Sequence, residues 1–402
     1  MSILQKTIHS LRSLGPGLIT AALVFGPGSL TVGSKLGASF QYQLLWVVVG
    51  AALFMIAYTV MAARIGLSSD ISLLQYIREK YGKITAALLG VGMFMTTASF
   101  QAGNSIGAGV AFAELFNTPV IPWIIFFSGA AIVMLFFKGF YKIFEKVMLL
   151  LVGLMLVSFF VTIVVTKPVL TDVLTGFKPA VPPGSERLTI ALVASTFSII
   201  GAFYQSYLVR EKGWRAGQER TCLRETIAGI IILALITLSV LICAGNVLHA
   251  QDIEVKSVAD MGRILEPLFG RFTSWLFTFG LFAASFTSLL GNGTIGGSML
   301  ADGFGMGSDL KSGKVRGMIM LVIVFGASIA IIFGALPLEL IVFAQGLTII
   351  IVPVVAFFIL MIANQQLMGK LKNNLTYNVI GAIGLIVLLA LAISNVKLIF
   401  FS

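Results

Sequence analysis

The stretch VFGPGSLTVG, residues 24–33, decides how the chain folds. It lies inside an apolar segment, yet Gly26-Pro27-Gly28-Ser29 interrupts that segment about midway. Proline removes a backbone donor and clashes with the preceding helical turn, and glycine takes backbone angles closed to other residues. Backbone left unpaired deep in a bilayer survives only against protein or a watery cavity. A packing kink satisfies that rule as well as a binding site does, so the rest of the sequence has to separate the two.

Of 402 residues, 58% are apolar and only 11% are charged, which sets the chain far from soluble globular proteins. Uncharged runs such as LLWVVVGAALFMIAYTVMAA (44–63) and AGIIILALITLSVLICAGNVL (228–248) recur, and about 20 apolar residues suffice to cross the hydrocarbon core as a helix. The pattern predicts eleven spans, near 15–38, 43–64, 84–113, 119–138, 145–166, 188–210, 223–247, 270–300, 317–335, 338–363 and 375–397. With the N-terminus in the cytoplasm, nineteen Lys and Arg fall inside and eight outside, which together are all 27. That asymmetry supports both the span count and the orientation, and puts the C-terminus outside. It also explains the net charge of +11 without nucleic acid. The N-terminal residues run straight into the first span, with no cleavable leader expected. DISLLQYIREKYGK (70–83) reads as an amphipathic segment on the inner surface, and 167–187 and 248–269 as short external loops. Cys222 and Cys243 read as small membrane-buried residues rather than a disulfide framework. The reading is of one transmembrane domain, 1–402, acting as a monomer in a bacterial plasma membrane, its lipid bilayer the surrounding partner.

Span 6, STFSIIGAFYQSYLVREKGW (195–214), supplies the second interruption. Its middle, Gly201 to Tyr207, holds a glycine followed by the polar run Tyr204, Gln205, Ser206, Tyr207. Two interrupted helices five spans apart are the mark of inverted repeats with a substrate site at midplane. The expected fold is all-α and LeuT-like: helices 1–5 (residues 1–166) form one repeat, helices 6–10 (188–363) the other, and 375–397 an extra helix.

Several segments carry a likeness over most of the chain. Span 1 reads LGPGLITAALVFGPGS (14–29) and leads to GASFQYQLLWVVV (37–49). SIIGA (198–202), GLFAASFTSLLGNGTIGGSMLADGF (280–304) and NQQLMGK (364–370) follow in order. In these the chain resembles the NRAMP family of divalent-metal transporters, which implies that family's fold. It departs where the family's chemistry lies. The resemblance implies an Asp and an Asn as metal ligands at the first break, and here Gly26 and Ser29 stand there. It implies a Met-Pro-His after the second break, and alignment on SIIGA puts Gln205, Ser206 and Tyr207 there. In FQAGNSIGAGVAF (100–112), Gln101 and Asn104 replace the Asp and Glu the family links to proton movement. The chain therefore resembles a branch that lacks the metal-binding Asp and Met, a bicarbonate-transporting branch being one candidate.

The residue inventory agrees. All sixteen acidic residues fall in loops or at span ends, and His9 and His249 are peripheral. A hard divalent ion needs oxygen anions to replace its water, and a softer metal needs sulfur or imidazole. What remains are the positive N-terminal ends of the second half-helices and neutral donors. The expected substrate residues are Gly26, Pro27, Gly28, Ser29, Tyr204, Gln205, Ser206, Tyr207, Gln101 and Asn104, with Arg210 drawing anions into the inner vestibule or serving as an ordinary positive-inside loop residue. That set favours a small planar oxyanion, bicarbonate first, with no protein metal ligand and no cofactor. A divalent cation such as Mn²⁺ or Mg²⁺, moved largely hydrated, is the alternative; a neutral solute or amino acid, or a non-transporting sensor, comes after. Na⁺ held by carbonyls is an open choice of coupling ion. GNSIG (103–107) and GNGTIGG (291–297) read as close helix packing, the latter lacking the Lys-Ser/Thr of a phosphate loop. There is no nucleophile–base pair to suggest an enzyme.

Overall fold

The computed structural model describes residues 26–136, 138–270, 273–333 and 337–400, and among these the regular structure is helical. The first half of span 1, with His9 and residues 15–25, lies outside the described residues. In chain order the main helices are α1 (Pro27–Phe40), α2 (Leu45–Ser68), α3 (Leu73–Tyr81), α4 (Lys83–Phe116), α5 (Val120–Met134), α6 (Lys138–Thr166), α7 (Glu186–Thr196), α8 (Ile199–Glu211), α9 (Glu219–Val247), α10 (Thr273–Gly303), α11 (Gly313–Ile332), α12 (Pro337–Thr348), α13 (Val352–Ile362) and α14 (Leu375–Phe400). Each expected span has a helix, and eight helical stretches among the described residues are long and apolar enough to cross a bilayer. Large apolar side chains such as Leu53, Phe160, Leu235 and Ile386 point outward, as a lipid-facing surface requires. The amphipathic segment expected after span 2 is α3, whose Ser72 caps it by accepting from Gln75 N–H.

Two interruptions differ from expectation. Span 6 breaks at Phe197-Ser198, between α7 and α8, and not across Gly201–Tyr207, which is helical throughout. The cause is local. Phe197 leaves the helical region (φ −90°, ψ 63°), and Ser198 restarts it as an N-cap that accepts from Gly201 N–H. Phe197 is held there by Phe54 and Tyr58 of α2, with ring centroids 5.6 and 5.5 Å away. Span 10, expected to be continuous, divides into α12 and α13. Its i→i+3 bonds at Ile349–Ile351 tighten the chain just ahead of Pro353, which cannot donate into a preceding turn.

Glycines set which helices touch most closely. A Cβ on Gly66 would lie 2.5 Å from the Ser206 carbonyl oxygen, and one on Gly37 would lie 2.5 Å from that of Leu241. These contacts lock α2 to α8 and α1 to α9. A Cβ on Gly303 would lie 2.8 Å from the Ala86 carbonyl oxygen, and one on Gly297 2.4 Å from Ile319 backbone. These lock α10 to α4 and to α11. The molecule therefore contains two tightly knit groups, α1–α2–α8–α9 and α4–α10–α11, with α12 packed on α4. The glycines of the GNSIG and GNGTIGG stretches sit at close helix contacts, Gly107 against Ser285 and Pro27 and Gly296 against Thr97. Cys222 and Cys243 are both buried and unbridged. Tyr42, in the α1–α2 turn, donates to Asn246; burial and the nearby Asp172 push its hydroxyl up to about 12, so it stays a donor.

Gly66→Ala should lower the thermal melting point in detergent by several degrees, since overpacking a rigid backbone contact costs about 1–3 kcal/mol. Gly50→Ala in the same helix, with no atom within 4 Å of the new methyl, should leave it unchanged or slightly raised.

Candidate functional site

The starts of α1 and α8 meet at a small cavity. Gly26 is extended (φ −128°, ψ −172°) and Pro27 occupies the first turn of α1. The N–H groups of Gly28 and Ser29 then have no acceptor within the helix. Ser198 caps one donor of α8, and the carbonyl end of α7 faces the same region. The cavity measures about 20 Å³, room for about one water molecule. Its wall comes from five directions: Gly26, Gly28 and Ser29 from α1; Ser195, Ser198, Ile200 and Gly201 from the α7–α8 break; Phe100 and Asn104 from α4; Ser288, Asn292 and Ile295 from α10; and Gln345 from α12.

The lining is neutral. Among the described residues it holds hydroxyls, carboxamides, backbone and the apolar side chains of Phe100, Ile200 and Ile295, and no carboxylate, imidazole, thiol or thioether. Among the described residues, nowhere do three or more His, Cys, Asp or Glu side chains gather as metal ligands would. Glycine gives close approach on the α1 side, where an added methyl would have to displace the ends of neighbouring side chains. A Cβ on Gly28 would stand 2.0 Å from Gln345 Nε2, and one on Gly26 2.9 Å from Ser288 Oγ. Asn104 Nδ2 and Gln345 Oε1 are buried with no protein partner. Such groups are costly to bury unless something polar is bound beside them.

Of the residues expected from sequence, Gly26, Gly28, Ser29 and Asn104 line this cavity, and Pro27 packs beside Gly107 at its edge. Gln101 is fully buried one turn away, where its Nε2 donates to the Leu289 carbonyl at 2.8 Å. The polar run of span 6 sits elsewhere, because the break precedes it. Gln205 Nε2 donates to Thr226 Oγ1 in α9 at 2.9 Å. Ser206 Oγ donates back to the Phe203 carbonyl at 2.8 Å. Tyr204 and Tyr207 instead line a second cavity of about 490 Å³ with Arg210, Ser298 and Lys311, on the face that the charge count assigns to the cytoplasm. Arg210 also donates to the Asp70 carbonyl at 2.9 Å, tying α8 to the α2–α3 turn. The alignment that matched Gln205, Ser206 and Tyr207 with the family's Met-Pro-His therefore runs about two turns or more past the break; the residues at the break are Ser195 to Ser198.

The sequence reading missed Ser195, Ser198, Ser288, Asn292 and Gln345. A signal for one was present: Ser198 is a helix-start residue set just before an apolar run. The others are single polar residues on long apolar helices, whose inward aim only packing reveals.

Two substitutions locate the break. Ser198→Ala removes the cap of α8 and should cost about 1 kcal/mol in denaturant unfolding. Ser206→Ala removes only a mid-helix back-bond and should stay within about 0.5 kcal/mol of the parent.

The chain is similar to the natural resistance-associated macrophage protein 2 homolog of Dictyostelium discoideum, 23% identical over 409 residues covering 97% of this chain and 64% of that protein. It is also similar to the divalent metal cation transporter MntH of Xylella fastidiosa, 27% identical over 73% of this chain and 65% of that protein. The chain thus spans about two thirds of the length of these two relatives. MntH of Chromohalobacter salexigens is 25% identical over 94% of this chain and 89% of its own length. In three dimensions the fold matches the Eremococcus coleocola manganese transporter with a TM-score of 0.78 at 19% identity, covering 100% of this chain and 90% of that one. MhsT solved in complex with L-phenylalanine matches with a TM-score of 0.63 at 14% identity over 94% of this chain and 98% of that one. The inverted-repeat architecture expected from the two interruptions is thus the observed one. The family description "natural resistance-associated macrophage protein-like" (Nramp) fits residues 17–398, and the chain belongs to that family.

Proposed function

We propose that this protein is a secondary transporter that moves a small inorganic ion by alternating access, and that the ion is a divalent cation carried with most of its water shell. The observation that carries the reading is the neutral lining of the midplane cavity. Ser29, Ser198, Ser288, Asn104, Asn292 and Gln345 offer oxygen and amide groups but no charge. Stripping a divalent ion bare needs anionic oxygens, whereas Mg²⁺ in particular sheds water reluctantly and is held through it. Relatives named as divalent metal and manganese transporters favour a cation over the bicarbonate that the residue inventory alone suggested. Softer-metal chemistry finds no sulfur or imidazole in the wall.

The two glycine-locked groups supply the moving parts: α1, α2, α8 and α9 rock against α4, α5, α10 and α11. The 20 Å³ cavity is too small for a hydrated ion, so loading requires the groups to part. No titratable side chain lines the cavity, which argues against proton coupling there and leaves Na⁺ as the coupling ion to test. Residues 1–166 and 188–363 act as the two repeats. One chain encloses the cavity, so a monomer suffices. The charge asymmetry supports a cytoplasmic N-terminus in a bacterial plasma membrane.

A second reading has its own observation. The unpaired N–H groups at the start of α1 have no carboxylate to offset them, which suits a small oxyanion such as bicarbonate.

Proteoliposome flux separates the readings, with and without a Na⁺ gradient. Mg²⁺ or Mn²⁺ uptake that does not respond to bicarbonate is the expected result. Bicarbonate uptake without metal uptake replaces the cation by the anion, and uptake of neither removes both. Gly26→Asp places a carboxylate beside Ser288; it should tighten cation binding about tenfold, equivalent to about 1.4 kcal/mol, and abolish any anion flux.

A further inference from the structure

We propose that the hydrogen bond between Tyr207 and Asp302 is the latch that closes the inner end of the cargo route. The route can be followed along two facing helices. On α8, Gly201 lines the midplane cavity and Tyr204 and Tyr207 line the inner vestibule. On α10, Ile295 lines the cavity, Ser298 the vestibule, and Asp302 lies about one turn beyond. Steps of three or four residues are single helical turns, so cavity and vestibule lie in line. α8 belongs to one glycine-locked group and α10 to the other. Tyr207–Asp302 therefore bridges the seam along which the groups would part.

The bond is built to matter. The Tyr207 hydroxyl donates to Asp302 Oδ2 at 2.6 Å. Tyr207 is 6% exposed and Asp302 4%, and Asp302 is the one buried acidic side chain among the described residues. A hydrogen bond to an ionised acceptor is roughly twice as strong as a neutral one. A buried carboxylate without a partner is severely penalised. Tyr207 also stacks on Tyr204 (5.9 Å, 12°) and lies against Ser72 and Leu74 at the start of α3. Arg78 of α3 donates to the Gly303 carbonyl next to Asp302, at 3.3 Å. α3 is the covalent link between α2 of one group and α4 of the other, and it is fastened to both sides of the same bond.

This gives two self-consistent arrangements. With α8 against α10, the carboxylate is dry and held by the phenol. With α8 withdrawn, the bond is lost, but vestibule water reaches the carboxylate and hydrates it. An intermediate with the bond broken and the site still dry is penalised, so the seam switches rather than drifts.

The inference rests on the alternating-access part of the transport reading and not on the identity of the cargo. Labelling without cargo therefore separates its failure from that of the ion assignment. In a background lacking Cys222 and Cys243, Ile295→Cys reports the midplane cavity and Ser34→Cys the outer half of α1. Both are treated with a membrane-impermeant maleimide from each side of oriented vesicles. Tyr207→Phe, which keeps the ring, and Asp302→Asn should each speed labelling at 295 from the inner side about tenfold and slow labelling at 34 from the outer side. The double variant should match the single ones, since they share one bond. A general loosening of the fold would instead speed both reporters. That result, or no change at either, overturns the latch, as does any other pattern. Where Asp302→Asn does not fold, Tyr207→Phe decides alone.

Discussion

Backbone groups left unpaired at mid-depth in a bilayer constrain everything else in this molecule. The starts of α1 and α8 need partners that lipid cannot provide. The fold meets that need by bringing both starts to one polar cavity, walled by single serines, asparagines and a glutamine on helices that are otherwise apolar. The break in span 6 is itself held by Phe197, wedged between Phe54 and Tyr58, and by the Ser198 cap. The cavity is therefore a consequence of how the breaks are stabilised as well as a place to bind cargo. A polar wall there serves both purposes, which explains how its residues can change while the architecture stays.

Close glycine contacts settle which parts move as bodies. Where a Cβ would strike backbone, as at Gly66 against Ser206 or Gly297 against Ile319, the two helices have no room to slide. Motion is thereby left to the seams between groups. Two directional contacts cross between the groups, Tyr207 to Asp302 and Lys35 to Glu339 where α1 meets α12, beside buried apolar clusters that the groups share. Packing by shape holds each group rigid, while the contacts between groups include directional bonds that water can replace. Such a division lets a membrane protein change state without unfolding.

The sequence was most legible where a residue acts alone. Gly26-Pro27-Gly28 sets a helix start through its own backbone properties, and the start of α1 falls where the sequence places it. The apolar runs gave the spans, and the resemblance at GPGS and SIIGA gave the fold. Legibility failed where a residue acts through its neighbours. Thr196, Phe197 and Ser198 are each tolerable inside a helix, so the break they make was sought at Gly201 and the polar run instead. Ser288, Asn292 and Gln345 face the cavity only because glycines bring α10 and α12 close to α4 and α1. Asp302 was rightly placed at a span end, but its burial depends on a phenol 95 residues away in sequence.

The position of charge carries the last step. A carboxylate at the cavity would offset the exposed N–H ends and strip water from a metal; with Gly26 there, neither happens. The acidic groups stand outside the wall instead: Asp302 near the C-terminal end of α10, bonded to Tyr207, and Glu114 near the C-terminal end of α4 accepting the N–H groups of Val258 and Ala259 at 3.0 Å each. Charge in this protein thus holds helices in place and is absent from the described wall of the cavity. On the proposed cation reading, a neutral wall cannot repay an ion for its lost hydration shell and would select by the size and hydrogen bonding of the shell itself. Selection of that kind needs a cavity that opens wide and closes tightly. The contrast between a midplane cavity of about 20 Å³ and a vestibule of about 490 Å³ one helical turn away is what such a mechanism demands.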